Sequence, residues 1–325
     1  MKGFKAMLRL VTIGVLTGLS GPVAAQQPYP NKPIRFIVPY AAGGGTDTVT
    51  RLLSPKMTEG LGQQVLADNR PGGNTIIGTD ALAKSPPDGY TILFIGTSHV
   101  VNPSLLPTPY DAIKDFAPIA TVSSFALILV VPPSMPANNL QELIALAKSR
   151  PGELNYASTG TGGSQHLTGE LFNMTAGIKT EHIPYKGGGP AFTDLIGGQV
   201  QMMFAVPTVS TQYVKSGRLK AIAICGEYRS SALPQVPTFT EAGLPGLDLK
   251  NWYGILTPAG TPKAAIDRLS TEIAKILAMP DIKEKLHGMG LEPFYSTPEQ
   301  FAELMRVDIA KYAKIIKAAN IKLEN

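Results

Sequence analysis

A glycine-rich segment from Tyr40 to Asp47 lies between an apolar run that predicts a strand and a pattern that predicts a helix. Three consecutive glycines allow a tight turn with uncovered backbone N–H groups, and the following helix points the positive end of its dipole at the same place. Such a turn binds anions without a charged side chain. Gly44 and Thr46 are therefore candidate ligand contacts, and Asp47 is expected to be the helix N-cap.

A second segment, from Ser158 to His166, repeats the arrangement of strand, glycine-rich turn and helix. Hydroxyls alternate with glycines in it, which makes Ser158, Gly160, Thr161 and Gly162 candidate contacts. One such turn in each of two domains would grip a single ligand from opposite sides. His166 is either a further ligand contact or a helix-start residue bonded to the backbone.

Two other interpretations of these turns stay open. A glycine-rich turn after a strand is often only a tight connection. Asp68 lies about 20 residues beyond the first turn, as a ribose-binding acid would in a dinucleotide site. Neither turn matches G-x-G-x-x-G, however, and neither is followed by the Lys-Ser/Thr pair of a phosphate-binding loop. Nucleotide binding is therefore disfavoured.

The sequence gives little support for catalysis or for a metal or cofactor site. The histidines lack the His-x-x-x-His spacing and have no cysteine partner beside them: His99, His166, His182 and His287. A serine lies near a histidine at Ser98 and at Ser164, but neither lies in G-x-S-x-G, so a serine hydrolase is a disfavoured alternative. Cys225 is the single cysteine and is expected to be a buried core residue.

Four further residues are weaker candidates. Thr97 follows a predicted strand and is expected to face a ligand cleft. Asp194 follows the sequence YKGGG and would either fix the second turn or contact the ligand. Lys186 is a cleft cation or a solvated lysine, and Trp252 is expected to serve as hinge or core packing.

Short apolar runs and helical patterns alternate along the chain, which predicts parallel sheets covered by helices. We expect two α/β domains, one formed by residues 26–127 together with 250–325 and the other by 128–249, with the ligand in the cleft between them. The predicted strands are 34–38, 64–67, 90–95, 126–131, 154–157, 181–184, 200–204, 219–224 and 252–256. The predicted helices are 48–60, 76–84, 140–149, 165–176, 190–196, 208–216, 262–278, 281–287 and 298–319.

The N-terminus has the features of a secretory signal peptide. A basic start precedes the apolar run Leu10–Leu19, and small residues lead to an expected cleavage after Ala25. Residues 1–25 are therefore excluded from the predicted fold. Three of the positive charges in the formal net charge of +5 lie at Lys2, Lys5 and Arg9, which leaves +2 for the rest. That balance is too mild to indicate nucleic-acid or membrane-surface binding.

Several longer motifs resemble one family. The segments YPNKPIRFIVPYAAGGGTD, LGQQVLADNRPGG, IIGTDALAKSPPDGYT, NYASTGTGGSQHLTGELF, HIPYKGGGPAFTDLIGGQV and GILTPAGTP resemble the Bug or TctC family, the periplasmic receptors of tripartite tricarboxylate transporters. The resemblance covers essentially residues 28–320. It implies a type II periplasmic binding-protein fold, which closes like a Venus flytrap on a ligand carboxylate held by backbone N–H groups and ordered waters.

On this chain the resemblance places seven residues near the ligand: Tyr40, Thr46, Ser158, Gly160, Thr161, Gly162 and His166. Tyr40-Ala41-Ala42 stands where many relatives have a phenylalanine followed by two prolines. The predicted function is capture of a small carboxylate in the periplasm, without catalysis, for delivery to membrane permease subunits or a sensor protein. A monomer is expected, and a receptor for an uncharged or amide-bearing ligand is the main alternative.

Overall fold

The computed structural model describes residues 29–185, 187–247 and 249–318. The expected signal peptide and the cation candidate Lys186 lie outside these residues. Among the described helices, none combines the length and the apolar character needed to cross a membrane.

The described residues form strands that overlap every strand predicted from the sequence. Two strands, β4 and β11, were not predicted. The strands are β1 Ile34–Val38, β2 Val65–Asn69, β3 Thr91–Gly96, β4 Phe116–Phe125, β5 Ile128–Val131, β6 Asn155–Ser158, β7 Glu181–Pro184, β8 Met202–Ala205, β9 Lys220–Ile224, β10 Asn251–Pro258 and β11 Glu292–Pro293.

The helices also match the predicted pattern, with one short addition, α3. Each long helix buries one face; in α1, for example, Val49, Leu53 and Met57 recur every four residues and are fully buried. The helices are α1 Gly45–Leu61, α2 Ile76–Ala83, α3 Ser98–Val101, α4 Leu140–Ser149, α5 Ser164–Ala176, α6 Gly188–Ile196, α7 Pro207–Lys215, α8 Lys263–Ala278, α9 Pro280–Gly288 and α10 Pro298–Ala318.

The strands form two separate mixed sheets. The first has the order β11-β4-β10-β3-β1-β2, and the second has the order β7-β6-β8-β5-β9. Strands β1, β2 and β3 are parallel, whereas β10 runs antiparallel to both β3 and β4. In the second sheet β5 is the reversed strand, antiparallel to β8 and β9. Two mixed sheets flanked by helices confirm the predicted two-domain α/β class.

The chain passes between the sheets twice. It leaves the first sheet at Phe125 and enters the second at Ile128, and it returns after Ile224 through a long connection to Asn251. The backbone N–H of Cys225 donates to Leu127 O across 2.8 Å, so the two crossings are bonded to each other. The helices α1, α5, α6 and α7 each follow a strand, so their N-termini lie at the carboxyl edges of the sheets, where α/β proteins bind ligands.

Two predicted core residues are buried as expected. Cys225 is fully buried. Trp252 lies on β10, packs edge-on against Phe301 and donates its indole N–H to Asp308 Oδ2 across 2.7 Å. Trp252 is therefore a core residue of the first lobe, by which we mean the first sheet and the helices that pack on it; the second lobe is defined in the same way.

Candidate functional site

The first glycine-rich turn connects β1 to α1, and the helix begins earlier than predicted. Gly44 is the N-cap residue, and Gly45 is the first helical residue. Gly43 adopts a left-handed backbone conformation with φ of +78°, which glycine accommodates without strain. The N–H of Gly44 donates to Ala41 O across 3.3 Å and closes the turn.

Asp47 is not the N-cap, which corrects the sequence-based expectation. It lies in the first turn of α1, and its carboxylate reaches back to accept hydrogen bonds from the N–H of Gly43 at 2.9 Å, from Arg51 Nε at 2.9 Å and from Asn69 Nδ2 at 3.0 Å. Burial raises the pKa of this carboxyl group, but the bonds from Arg51, Gly43 and Asn69 outweigh burial and lower it. Asp47 thus holds the turn from inside the helix.

The first turn presents backbone donors of helix α1. The first N–H groups of any α-helix have no acceptor within the helix, and here they belong to Gly45, Thr46 and Asp47, all of which are buried. Gly44 and Thr46, both predicted contacts, therefore lie where the helix begins.

Tyr40 and Thr97 take part in the packing of the first lobe. The hydroxyls of Tyr40 and Ser98 are 2.8 Å apart, and burial raises the pKa of Tyr40 above its ordinary value. Thr97 Oγ1 accepts a hydrogen bond from the backbone N–H of Trp252 at 3.2 Å, and only 3% of Thr97 is exposed. The structure thus directs the Thr97 hydroxyl towards β10, while Tyr40 is anchored beside the first turn.

The second glycine-rich turn connects β6 to α5 and is held by its own side chains. Gly160 and Gly162 have φ of +148° and +83°, so both lie in the region that favours glycine. Ser158 Oγ donates to Gly160 O across 2.9 Å, and Gln165 Oε1 accepts from the N–H of Thr159 at 2.8 Å. Thr161 is half-buried at the tip of this turn.

His166 accepts a hydrogen bond from the second turn. Its Nδ1 accepts from the N–H of Gly162 at 3.1 Å, which is the backbone-bonded arrangement that the sequence left as one alternative. The His166 ring stacks on His182 with 3.9 Å between centroids, and His182 Nε2 lies 2.7 Å from Ser158 Oγ. Burial lowers the pKa of both imidazoles, to about 4 for His166 and about 3 for His182, so both are neutral near pH 7.

Ser158 and His182 form a serine–histidine pair that the sequence did not predict, because the two residues are far apart along the chain. Ser158 is fully buried, and its hydroxyl bonds to Gly160 within the turn. A nucleophile must be able to reach a substrate, so this pair supports the turn rather than catalysis.

Asp194 is bonded to the chain that follows β7. Its Oδ2 accepts a hydrogen bond from the Tyr185 hydroxyl at 2.8 Å. Burial raises the pKa of Tyr185 to about 12, with a smaller contribution from the Asp194 carboxylate. The bond ties α6 to the chain that follows β7 and does not involve the second glycine-rich turn.

The second glycine-rich turn approaches the first lobe at Asn74, outside the first turn. The Cβ position of Gly160 is 3.8 Å from Asn74 Oδ1, and that of Gly163 is 3.6 Å from the same atom. Asn74 belongs to the first lobe, between β2 and α2, and its amide bonds to Asn102 Oδ1 at 2.7 Å. It was not predicted; its signal was the PGGNT sequence at the end of a strand.

A second close approach across the cleft joins Gly45 of α1 to Thr208 of α7. A β-carbon placed on Gly45 would overlap Thr208 Oγ1 and lie 3.1 Å from Thr208 Cβ. Ala41 in the first turn similarly lies 4.0 Å from the Cβ position of Gly187, where α6 begins. The Cβ position of Gly188 in α6 in turn lies 4.0 Å from Thr159 Cγ2 in the second turn, which precedes α5. These contacts bring together the N-termini of α1, α5, α6 and α7, an arrangement that favours a negatively charged group.

The chain matches a protein family over most of its length. The model of the tripartite tricarboxylate transporter family receptor, TctC, matches residues 49–321. The chain belongs to this family. Family membership implies a periplasmic location, and it confirms the predicted resemblance.

Solved structures agree with this assignment. The periplasmic binding protein BugD is 34% identical, with a TM-score of 0.86 over 91% of this chain and 100% of BugD. Rpa4515 of R. palustris, solved with adipate, is 31% identical, with a TM-score of 0.87 over 90% of this chain and 99% of Rpa4515. MatC of Rhodopseudomonas palustris, solved with bound malate, is 29% identical, with a TM-score of 0.84 over 89% of this chain and 100% of MatC.

These receptors are solute-binding proteins and not enzymes, which confirms the prediction of a non-catalytic function. The serine-hydrolase alternative is therefore set aside.

Proposed function

We propose that this receptor captures a small organic carboxylate in the cleft between its lobes, for uptake through a membrane permease or for presentation to a sensor protein. The observation that carries the proposal is the convergence of four helix N-termini on that cleft. The contacts of Gly45 with Thr208, of Gly187 with Ala41 and of Gly188 with Thr159 bring the helix starts together. Backbone N–H groups and helix dipoles at such a point stabilise an anion.

We assign the binding donors to the two turns. The first-turn N–H groups of α1, beginning beside Gly44, and the Thr46 hydroxyl would hold one side of the carboxylate. Gly160, Thr161 and Gly162 would form the other side. The N–H groups of Gly160 and Gly162 already donate to Ser158 Oγ and His166 Nδ1, so Thr161 would supply the direct hydrogen bonds and the two glycines would let the ligand approach the backbone closely. Ser158 and His166 bond within the second turn, and Asp194 to Tyr185 beyond β7, so these three act chiefly by fixing the shape of the second lobe's side of the cleft.

The relatives support a carboxylate as the ligand. Adipate and malate, the compounds bound to Rpa4515 and MatC, are both dicarboxylates. We therefore place malate and adipate first among compounds to test.

We further propose the domain boundaries that the sequence suggested, with one domain of residues 26–127 and 250–325 and another of 128–249. The division of strands between the sheets supports this. The domains would close around the ligand because the closed state binds the carboxylate more tightly than the open state does. Export by the predicted signal peptide and a monomeric receptor belong to the same proposal.

Isothermal titration calorimetry of the mature protein tests the function. The titrants are malate, adipate and adipamide, the last being a neutral diamide of matched length. Because hydrogen bonds to a charged acceptor contribute about 1.5–3 kcal/mol against about 1 for neutral ones, we expect a carboxylate to bind roughly tenfold tighter than the diamide. Equal or tighter binding of adipamide would favour the uncharged-ligand alternative. Failure of a wider panel of carboxylates, together with tight binding of a sugar or a cation, would contradict the proposal.

A further inference from the structure

The first residue of α1 and the second residue of α7 are pressed together across the cleft. Thr208 Oγ1 occupies the space that a side chain at position 45 would need, and Thr208 Cγ2 is 3.4 Å from the same Cβ position. Gly45 is buried, and the Thr208 oxygen is buried without a hydrogen-bond partner among the described residues. The contact joins the two lobes directly.

Local structure does not require glycine at position 45. Its φ does not lie in the left-handed region, and a helix tolerates alanine better than glycine by about 1 kcal/mol. Within the fold, the neighbour that conflicts with a methyl group at this position is Thr208. The need for glycine therefore comes from the opposite lobe.

A second glycine of the first lobe approaches the same helix. The Cβ position of Gly290 lies 2.8 Å from Pro207 Cβ and 3.1 Å from Thr211 Oγ1. Gly290 has φ of +72°, so its backbone favours glycine in any case. Gly45 thus offers the cleaner test of whether α7 must pack against the first lobe.

We propose that Thr208 seats against Gly45 as the cleft closes, and that this contact sets how completely the lobes close on the ligand. Thr208 then acts as a positioning residue beside the start of α1. Its hydroxyl lies next to the first-turn N–H groups of α1, so a bound carboxylate oxygen at that point would also supply the acceptor that the hydroxyl needs. This last step rests on the proposed carboxylate function.

A double-mutant cycle tests the contact. The four proteins are the wild type, Gly45→Ala, Thr208→Ala and the double variant. Thr208→Ala removes Oγ1 and Cγ2 and leaves Cβ 3.1 Å from the new methyl group, so a shift of a few tenths of an ångström restores the fit. Gly288→Ala in α9 is the control, since its Cβ position has no atom within 4 Å and it lies outside the helix starts that face the ligand.

Two measurements are made on each protein. Calorimetry gives the affinity for adipate. Spin labels at Lys114→Cys in the first lobe and Lys179→Cys in the second, both strongly exposed positions, give the lobe separation by pulsed electron paramagnetic resonance. Circular dichroism and thermal unfolding show whether each variant folds like the wild type.

We expect Gly45→Ala to fold normally, to keep a longer lobe separation with adipate, and to bind adipate at least about tenfold more weakly, as an overpacked contact would. Adding Thr208→Ala should recover much of both losses, and Gly288→Ala should behave like the wild type. The proposal is overturned if Gly45→Ala closes and binds normally, or if Thr208→Ala recovers neither quantity.

Failure of the proposed function would have a different outcome. If only adipamide binds the wild type, the carboxylate proposal fails, and the same four proteins are measured with adipamide. Loss of closure in Gly45→Ala and its recovery in the double variant would still support the Gly45–Thr208 contact. Normal closure of Gly45→Ala with adipamide would overturn it.

Discussion

Replacement of Asp47 by asparagine should loosen the first turn. The Asp47 carboxylate is almost fully buried and accepts hydrogen bonds from Gly43, Arg51 and Asn69. Asparagine has the same shape, but it keeps one acceptor oxygen and turns an NH₂ group towards donors. At least one bond is lost and one donor is left unpaired.

The magnitude follows from those bonds. A hydrogen bond to a charged group contributes about 1.5–3 kcal/mol, and an unpaired buried donor costs about 1–3 kcal/mol. Arg51 is 57% exposed, so solvent screens its contribution. We therefore expect Asp47→Asn to lower the free energy of unfolding by about 2–3 kcal/mol. Carboxylate affinity should fall as well, because the turn that positions the α1 N–H groups is no longer fixed.

Urea unfolding and calorimetry measure both effects. Asp267→Asn is the control, because Asp267 forms an exposed pair with Lys263 one helical turn away and should cost about 0.5 kcal/mol or less. The lowered pKa of Asp47 also sets the pH dependence: its stabilisation is complete above the unfolded value of 3.8 and is lost as the pH falls through the lower folded value. Wild-type stability and affinity in Asp47→Asn would refute the assigned role.

Three further predictions concern the second turn and the cores. Burial lowers the pKa of His166 from 6.5 to about 4, so between these pH values the unfolded chain binds more protons, and stability should fall as the pH drops from about 6.5 to 4. His166→Asn keeps an acceptor for Gly162, and its free energy of unfolding, measured with urea, should depend less steeply on pH. An unchanged slope would contradict this. Trp252→Phe should lower the free energy of unfolding by about 1–3 kcal/mol, because it leaves the buried Asp308 without its donor. Asp308→Asn should lower it less, and equal losses in denaturant unfolding would argue against this. Gly169→Ala should cost about 1–3 kcal/mol in the same assay, since its methyl would overlap a buried tyrosine ring of β6; wild-type stability would contradict it.

Periodicity in the sequence predicted most elements because each is short and has one clear apolar pattern. Strand β4 escaped detection although it is long and lies between β10 and β11. Its sequence, FAPIATVSSF, contains Pro118 and two alanines, which are residue types depleted in strands and so weaken the usual strand signal. In the fold the Thr121 hydroxyl is satisfied by Phe294 O at 2.6 Å, a partner that lies far along the chain.

The glycine-rich turns were found from local sequence, but their internal bonding was only partly predictable. Asp47 was expected to cap α1, and the helix instead begins at Gly45, which moves the carboxylate into the first turn. Asn74 and Thr208 were missed because they reach the site through contacts between lobes. The periodicity of apolar residues along a segment does not predict contacts between lobes.

The most direct test is a crystal structure of the mature protein with adipate or malate, together with one of protein purified from cells without added ligand. We predict a carboxylate between the two turns, with its oxygens within hydrogen-bond distance of the N–H groups of α1 beyond Gly44 and of Thr161 in the second turn. A ligand bound away from both turns, or one held in the cleft only by charged side chains, would contradict it.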